Sequence, residues 1–172
     1  MRRRAWLAAT LIAGCAAPTS YTPRVVARGE VTLRYRDAHF EAWAGGEQIA
    51  RGLRWRGLSR YVACVPAAKS HADQAASAGN RAVGFSIAGG ILGGLAIGGL
   101  IGAVDEQNRW DWLGAGLATA GVGLVFVGIG RLSRNSANGH AVDAINFYND
   151  SVGSLGATCA DLRYPAPAGP QP

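Results

Sequence analysis

Along residues 22–64 apolar and polar positions alternate. In EVTLRYR, Val31, Leu33 and Tyr35 take turns with Thr32, Arg34 and Arg36, the two-residue period of a strand with one buried face. In HFEAWAGGEQIA a Gly45-Gly46 pair separates two extended runs and predicts a hairpin. Leu53 and Trp55 then alternate with Arg54 and Arg56, and Tyr61-Val62-Ala63-Cys64-Val65 offers a last strand. The expected unit, over 24–65, is an antiparallel meander of three or four short strands. A unit of about forty residues is near the lower limit of independent folding. It should therefore lean on helix stubs, a disulfide or a membrane.

The period changes at Pro66, a residue suited to the first turn of a helix. PAAKSHADQAASAGN (66–80) runs, with Gly79 its one breaker, toward 23 uncharged residues, 82–104. A short polar connection, DEQNRWD (105–111), leads to 19 more, 112–130. RLSRNSANGHAVDAINFYNDSV (131–152) follows, with Ala141, Ala144, Ile145, Tyr148 and Val152 at helical spacing. Ala68, Ala72, Ala75 and Ala76 offer a small-residue face opposite, and Asn138-Gly139 is a point where the second arm could break. As helices the two apolar runs measure ~35 Å and ~28 Å, against ~30 Å of hydrocarbon core. The implied fold class is an α+β membrane protein. Two long antiparallel helices form a Gly-rich transmembrane hairpin over 66–152, with spans 82–104 and 112–130, beside the small antiparallel β-meander. A C-terminal segment, 153–172, ends in the Pro-rich PAPAGPQP, with the composition of a disordered tail.

Glycine sets these apolar runs apart. Residues 89–102 hold seven glycines. In a solvated helix each costs ~1 kcal/mol against Ala, so the set costs about as much as a whole soluble domain's ~5–15 kcal/mol of stability. In lipid an unpaired backbone amide costs several kcal/mol and the helix becomes nearly obligatory. Glycine then serves close approach between helices. Ser86, Gly90, Gly94, Gly98 and Gly102 make an unbroken series of small residues at four-residue steps, and Gly114, Ala118, Gly121 and Gly128 make a second seam. These positions are the expected helix-packing residues, within the hairpin and between copies of it. Membrane lipid and a homo-oligomer are the corresponding partners. Trp110 and Trp112 suit a headgroup interface. A buried Gly-rich soluble hairpin and a flexible linker are the competing readings, and the Ile and Leu content speaks against the linker.

The N-terminus, MRRRAWLAATLIAGC, has a basic stretch (Arg2, Arg3, Arg4), a nine-residue apolar core (Ala5 to Ala13) and small residues before a cysteine. That is a secretory signal over 1–14, too short to span a bilayer. Ile12-Ala13-Gly14-Cys15 resembles the lipobox of bacterial lipoproteins. The resemblance covers these fifteen residues and implies cleavage before Cys15, acylation of its sulfur and new amine, and a lipidated linker over 15–23. Several acyl chains anchor firmly where one is marginal. Arg3-Arg4-Ala5-Trp6-Leu7 is faintly similar to a twin-arginine export signal. AINFYND (144–150) resembles a segment that follows glycine-rich spans in envelope lipoproteins, without implying an activity.

Cleavage changes the charge. The full chain carries +6, and removing 1–14 takes away three arginines and no acid, leaving 14 basic against 11 acidic residues, or +3. No run of basic residues with interleaved stacking aromatics appears beyond 24–60, so nucleic acid is not an expected partner. The meander sets Arg24, Arg28, Arg34, Arg36, Arg51, Arg54, Arg56 and Arg60 against Glu30, Asp37, Glu41 and Glu47. A solvated strand face accounts for them, and a face resting on anionic headgroups is the alternative. Cys64 and Cys159, an even pair in an exported chain, fall near the same end of the hairpin and predict a disulfide, with two separately buried thiols as the alternative.

Enzyme chemistry finds no motif. His39, His71 and His140 stand apart in sequence, without HExxH, Cys/His ligand spacing or a GxSxG elbow. The glycines of 89–102 precede no GK[ST], so they are not a phosphate loop. No catalytic residue, metal or cofactor is expected. Charge also bears on topology. With Cys15 outside the cytoplasm, loop 105–111 would be cytoplasmic in an inner membrane, yet it carries Asp105, Glu106 and Asp111 against Arg109. Lys69, Arg81, Arg131 and Arg134 would flank the outer side, which opposes the positive-inside rule, so either the hairpin sits in an outer membrane, the favoured reading, or lipidation fixes the topology despite the charges. The expected function is a non-enzymatic envelope lipoprotein with a structural or assembly role, its soluble part facing the periplasm. An oligomeric pore and a periplasmic binding module on a membrane anchor are the alternatives. Only Ser86 and Thr119 bring side-chain hydroxyls to the spans, which argues against a wide channel.

Overall fold

The computed structural model describes residues 27–104 and 108–163. The expected signal peptide over 1–14, Cys15 with the expected linker after it, residues 105–107 and the Pro-rich tail lie outside the described residues. The chain is α+β. Strands β1 (Val31–Arg36), β2 (His39–Ala44) and β3 (Glu47–Arg51) precede helices α1 (Leu58–Tyr61), α2 (Pro66–Gly102) and α3 (Arg109–Ser151). A 3-10 turn (Gly153–Leu155) and α4 (Cys159–Arg163) follow.

The strands form one antiparallel sheet in the order β1-β2-β3. Gly45 and Gly46 close the β2–β3 hairpin with φ of +56° and +88°, the left-handed pair that a two-residue turn demands. Asp37 and Ala38, at +49° and +62°, turn β1 into β2 in the same way without glycine. The expected strands over 53–56 and 61–65 are not formed. Leu53 and Trp55 adopt φ of +88° and +50°, so their alternation marks a tight loop, and 58–61 is a helical turn. The loop buries Trp55 completely and lays its backbone on α2 at Gly79, where an added Cβ would overlap the Leu53 carbonyl oxygen.

Pro66 opens α2 at its first turn, as expected. Asn138-Gly139 does not break α3, which runs unbroken through it. Asn138 is instead held by tertiary contact: its Oδ1 accepts the Trp55 indole N–H at 3.2 Å.

The two long helices meet along a heptad seam. Ala68, Ala75, Ala82, Gly89, Ala96 and Ala103 are all buried on the α2 side, and Gly116, Gly123, Gly130, Ala137 and Ala144 on α3. An added Cβ at Gly116 would lie 3.2 Å from the Ala96 carbonyl oxygen, at Gly123 3.5 Å from that of Gly89, and at Gly130 3.4 Å from that of Ala82. These three contacts fix one antiparallel register. Continued by whole heptads, it sets Ala75 opposite Ala137 and Ala68 opposite Ala144. Seven residues fall only ~20° short of two turns, so such a row stays on one face over many repeats.

The sheet covers one end of this helical pair. Val31, Ala42, Ala44, Ala50, Trp55, Leu58 and Val62 pack with Ala68, Ala72, Ala75, Ala141, Ile145 and Tyr148 in a single core. Edge strand β1 is tied to the end of α3 by Asn149. Its Oδ1 accepts from the Val31 N–H and its Nδ2 donates to the Val31 carbonyl, both at 2.9 Å. Cys64 and Cys159 form the expected disulfide across the same end, 95 residues apart. The meander is thus no independent domain. Its core is shared with the helix stubs.

Candidate functional site

The hairpin changes character along its length. Below Ala82 and beyond Gly130 the exposed positions include Lys69, Asp73, Asn80, Asn135, Asp143 and Asn146. Between those limits they include Ile87, Ile91, Leu95, Ile97, Ile101, Leu117, Leu124, Val125 and Ile129, each at least 38 % exposed, with Arg109, Trp110 and Asp111 exposed where α3 begins. Both helices are long and apolar enough to cross a membrane, and only 17 % of the most apolar window of each is buried in the fold. That exposure sets them apart from core helices of a water-soluble domain. The seam changes at the same level. Its α3 side is glycine at 116, 123 and 130 and alanine at 137, 141 and 144.

The sequence-predicted packing residues do not make the seam between α2 and α3. Gly90, Gly94 and Gly98, and on α3 Gly114, Gly121 and Gly128, have nothing within 4 Å of where a Cβ would stand, and Ala118 is exposed. The correction is geometric. A four-residue step overshoots a full turn by about 40°, so the Ser86–Gly102 row winds around α2 and meets α3 only at its ends. There Ser86 Oγ lies 3.3 Å from a Cβ placed on Gly130, and a Cβ on Gly102 would meet the Trp112 ring at 2.9 Å. On α3 the row 114/121/128 keeps heptad spacing but starts two residues before 116/123/130, about 200° around the helix. One glycine row faces α2, and the other faces outward.

Cys15 lies outside the described residues. Ser86 and Thr119 turn their hydroxyls back onto their own helices, donating to the Ala82 carbonyl at 2.8 Å and the Ala115 carbonyl at 2.9 Å. A surface cleft of about 410 Å³ lies where the sheet end meets the apolar run, lined by Arg51, Gly52, Leu53, Arg54, Arg56 and Val83. A second, of about 490 Å³, lies beside the disulfide, lined by Ile49, Gly57, Arg60, Tyr61, Thr158, Cys159 and Ala160. Neither lining brings a nucleophile to a general base.

Comparison with protein families, curated proteins and solved structures finds no match to this chain.

The sequence treats His71 and His140 as isolated, and the fold joins them. The antiparallel register places the two rings on facing helices with their Nδ1 atoms 3.3 Å apart. Asp143, one turn beyond His140, puts Oδ2 3.7 Å from His71 Nδ1. The three potential ligand atoms lie within 4.8 Å of one another. The His71 ring also stacks on Phe147, with centroids 5.3 Å apart and planes 23° from parallel. The spacing His140-x-x-Asp143 was visible in the sequence, since residues three apart share a helix face. Their meeting with His71 required the register.

Away from this cluster the fold perturbs three groups among the described residues, one of them Asp161, whose carboxyl is held below the usual range by hydrogen bonds from the Thr158 hydroxyl and backbone N–H. Hydrogen bonds from the Lys69 ammonium (2.6 Å) and the Ser59 hydroxyl (2.5 Å) hold the Asp73 carboxyl below the usual range. Burial pushes the Tyr148 phenol above its usual range, in an edge-on stack with Tyr61 at 5.4 Å.

Proposed function

We propose that the chain is a non-enzymatic lipoprotein of the bacterial cell envelope. Acyl chains on Cys15 and a membrane-inserted glycine-rich hairpin anchor it, and its role is structural, through packing of hairpins against one another. The observation that carries the membrane reading is the coincidence of two changes at one level. Between Ala82 and Gly102 and between Trp112 and Gly130 the large exposed side chains are mostly aliphatic and glycine dominates the α3 seam, whereas toward the disulfide they are largely polar and alanine takes over. Water disfavours helical glycine by ~1 kcal/mol per residue relative to alanine. Lipid makes the helix nearly obligatory and rewards close backbone packing instead. Arg81 and Arg131, both exposed, lie on the two helices at that level, and Arg54 and Arg56 line the cleft beside Val83. Cations there suit phosphate headgroups at ~1 kcal/mol each.

The outward glycines support self-association. A lipid-facing surface gains nothing from Gly90, Gly94, Gly98, Gly114, Gly121 and Gly128, whereas a second copy of the hairpin would use each for close backbone contact. The turned-in hydroxyls of Ser86 and Thr119 give a pore no polar lining. The acidic 105–111 segment favours the outer membrane, with the sheet end in the periplasm.

Labelled palmitate should enter the wild-type protein and not Cys15→Ser. Exported behind a cleavable signal, Cys15→Ser should still resist an alkaline wash of the membranes, held by its hairpin. Label in Cys15→Ser would overturn the lipoprotein reading. Release of that variant into the soluble fraction would overturn hairpin insertion.

A further inference from the structure

We propose that His71, His140 and Asp143 form a divalent transition-metal site, best matched to zinc, that bridges α2 and α3 in the aqueous half of the hairpin. Zinc bound tetrahedrally at 2.0–2.1 Å by imidazole holds neighbouring ligand atoms about 3.3–3.4 Å apart. The two Nδ1 atoms stand at 3.3 Å, one edge of that tetrahedron. Asp143 Oδ2, 3.7 Å from His71 Nδ1, is a few tenths of an ångström wide of a second edge. The carboxylate is half exposed and free to close that gap. Stacking on Phe147 sets the plane of the His71 ring, and the helix backbones fix the rest.

The donor set suits the ion. Two imidazoles and a carboxylate are borderline and hard ligands of the kind zinc takes, and three protein ligands leave the fourth position to water. Without metal, one Nδ1–H donates to the other Nδ1. Metal binding requires the donor ring to move its proton from Nδ1 to Nε2, with no net proton released, so that both rings are neutral with hydrogen on Nε2 and both Nδ1 lone pairs on the ion. The half-buried histidines and the exposed carboxylate leave the site open to solvent. The neighbouring buried contacts between the helices here are alanines, at Ala68, Ala72, Ala75, Ala137, Ala141 and Ala144. A bound ion would thus add the one coordinate bridge at this level. The inference holds whether or not the far end enters a membrane.

The test uses tag-free, full-length protein stripped with chelator and kept in detergent, titrated with Co²⁺ and then with Zn²⁺. Wild-type protein should take up one equivalent, give the intense visible bands of tetrahedral cobalt, and lose them to zinc. His71→Gln and His140→Gln should each weaken zinc binding by at least ~10-fold, because even second-shell partners are worth that much. Asp143→Asn should weaken it less than either histidine change. Nitrogen-15 spectra of histidine-labelled wild-type protein should show zinc on Nδ1 of two rings, a readout that needs no variant to fold. Absence of stoichiometric uptake, unchanged affinity in the two glutamine variants, or zinc on Nε2 would each overturn the proposal.

Discussion

Gly79→Ala should destabilise this protein, although alanine normally improves a helix. Gly79 is buried in α2 beneath the 52–57 loop. A Cβ there would overlap the Leu53 carbonyl oxygen and lie 2.9 Å from the Arg54 Cα. Ordinary van der Waals contact begins near ~3.4 Å, so the loop would have to retreat by on the order of 1 Å. It has little freedom to do so. Trp55 is 1 % exposed, and its indole N–H is bonded to Asn138 on the opposite helix. Overpacking costs ~1–3 kcal/mol and a lost hydrogen bond about 1 kcal/mol, against a gain of ~1 kcal/mol from helix propensity. The net is a loss of ~1–3 kcal/mol, roughly 3–10 °C in melting temperature for a chain of this size. Gly139 is the control. It lies on the exposed face of α3 with nothing within 4 Å, so Gly139→Ala should stabilise by ~0.5–1 kcal/mol. Thermal unfolding of the oxidised, detergent-solubilised protein, followed by near-UV circular dichroism, reads both. If Gly79→Ala melts at or above wild type, the close approach of loop and helix is wrong.

Two further outcomes follow from the helices. Gly94→Leu with Gly98→Leu should leave membrane insertion and the disulfide intact, because both positions are open, yet reduce cross-linked oligomers; undiminished cross-linking would remove the second copy as their partner. Asp73→Asn should cost about 0.5 kcal/mol at neutral pH, as suits an exposed pair. The native carboxyl is held low by Lys69 and Ser59, so its contribution is complete above the unfolded value near ~4 and disappears as pH falls through the lower folded value. The gap between wild type and Asp73→Asn in urea unfolding should therefore close between pH 5 and the acid limit, and a constant gap would refute the pairing.

Much of this architecture was legible because it rests on period and covalent chemistry. Both long helices, the Gly45-Gly46 hairpin and the Cys64–Cys159 link follow from local signals. The loop at 52–57 was misread because alternation of Leu53 and Trp55 looks like a strand. What decides it is close approach at the flanking glycines. A Cβ on Gly52 would stand 2.8 Å from the Phe40 carbonyl oxygen, and one on Gly57 would overlap that of Ile49. The seam was misassigned for a different reason. On α2 the four-residue spacing of glycine catches the eye, but seven-residue spacing keeps a face toward a long partner, and that row mixes Gly with Ala; on α3 two heptad rows of glycine compete, and spacing does not say which one faces α2. The His71–His140 meeting depends on register between distant segments, which no local signal encodes.

The uniformity of that seam has a consequence for how the hairpin finds its alignment. Ala and Gly recur every seven residues on both helices, so sliding one helix by a heptad, ~10.5 Å, would again set small residues against small residues. Shape at the contact distinguishes such alignments poorly. Discrimination falls to the irregular end, where Asn149 grips Val31, Trp55 reaches Asn138 and Cys64 is locked to Cys159. The small sheet therefore acts as a vernier for the long helices. A hairpin made without it should sample several offsets, and oxidation of the cysteines selects the one in which the end fits.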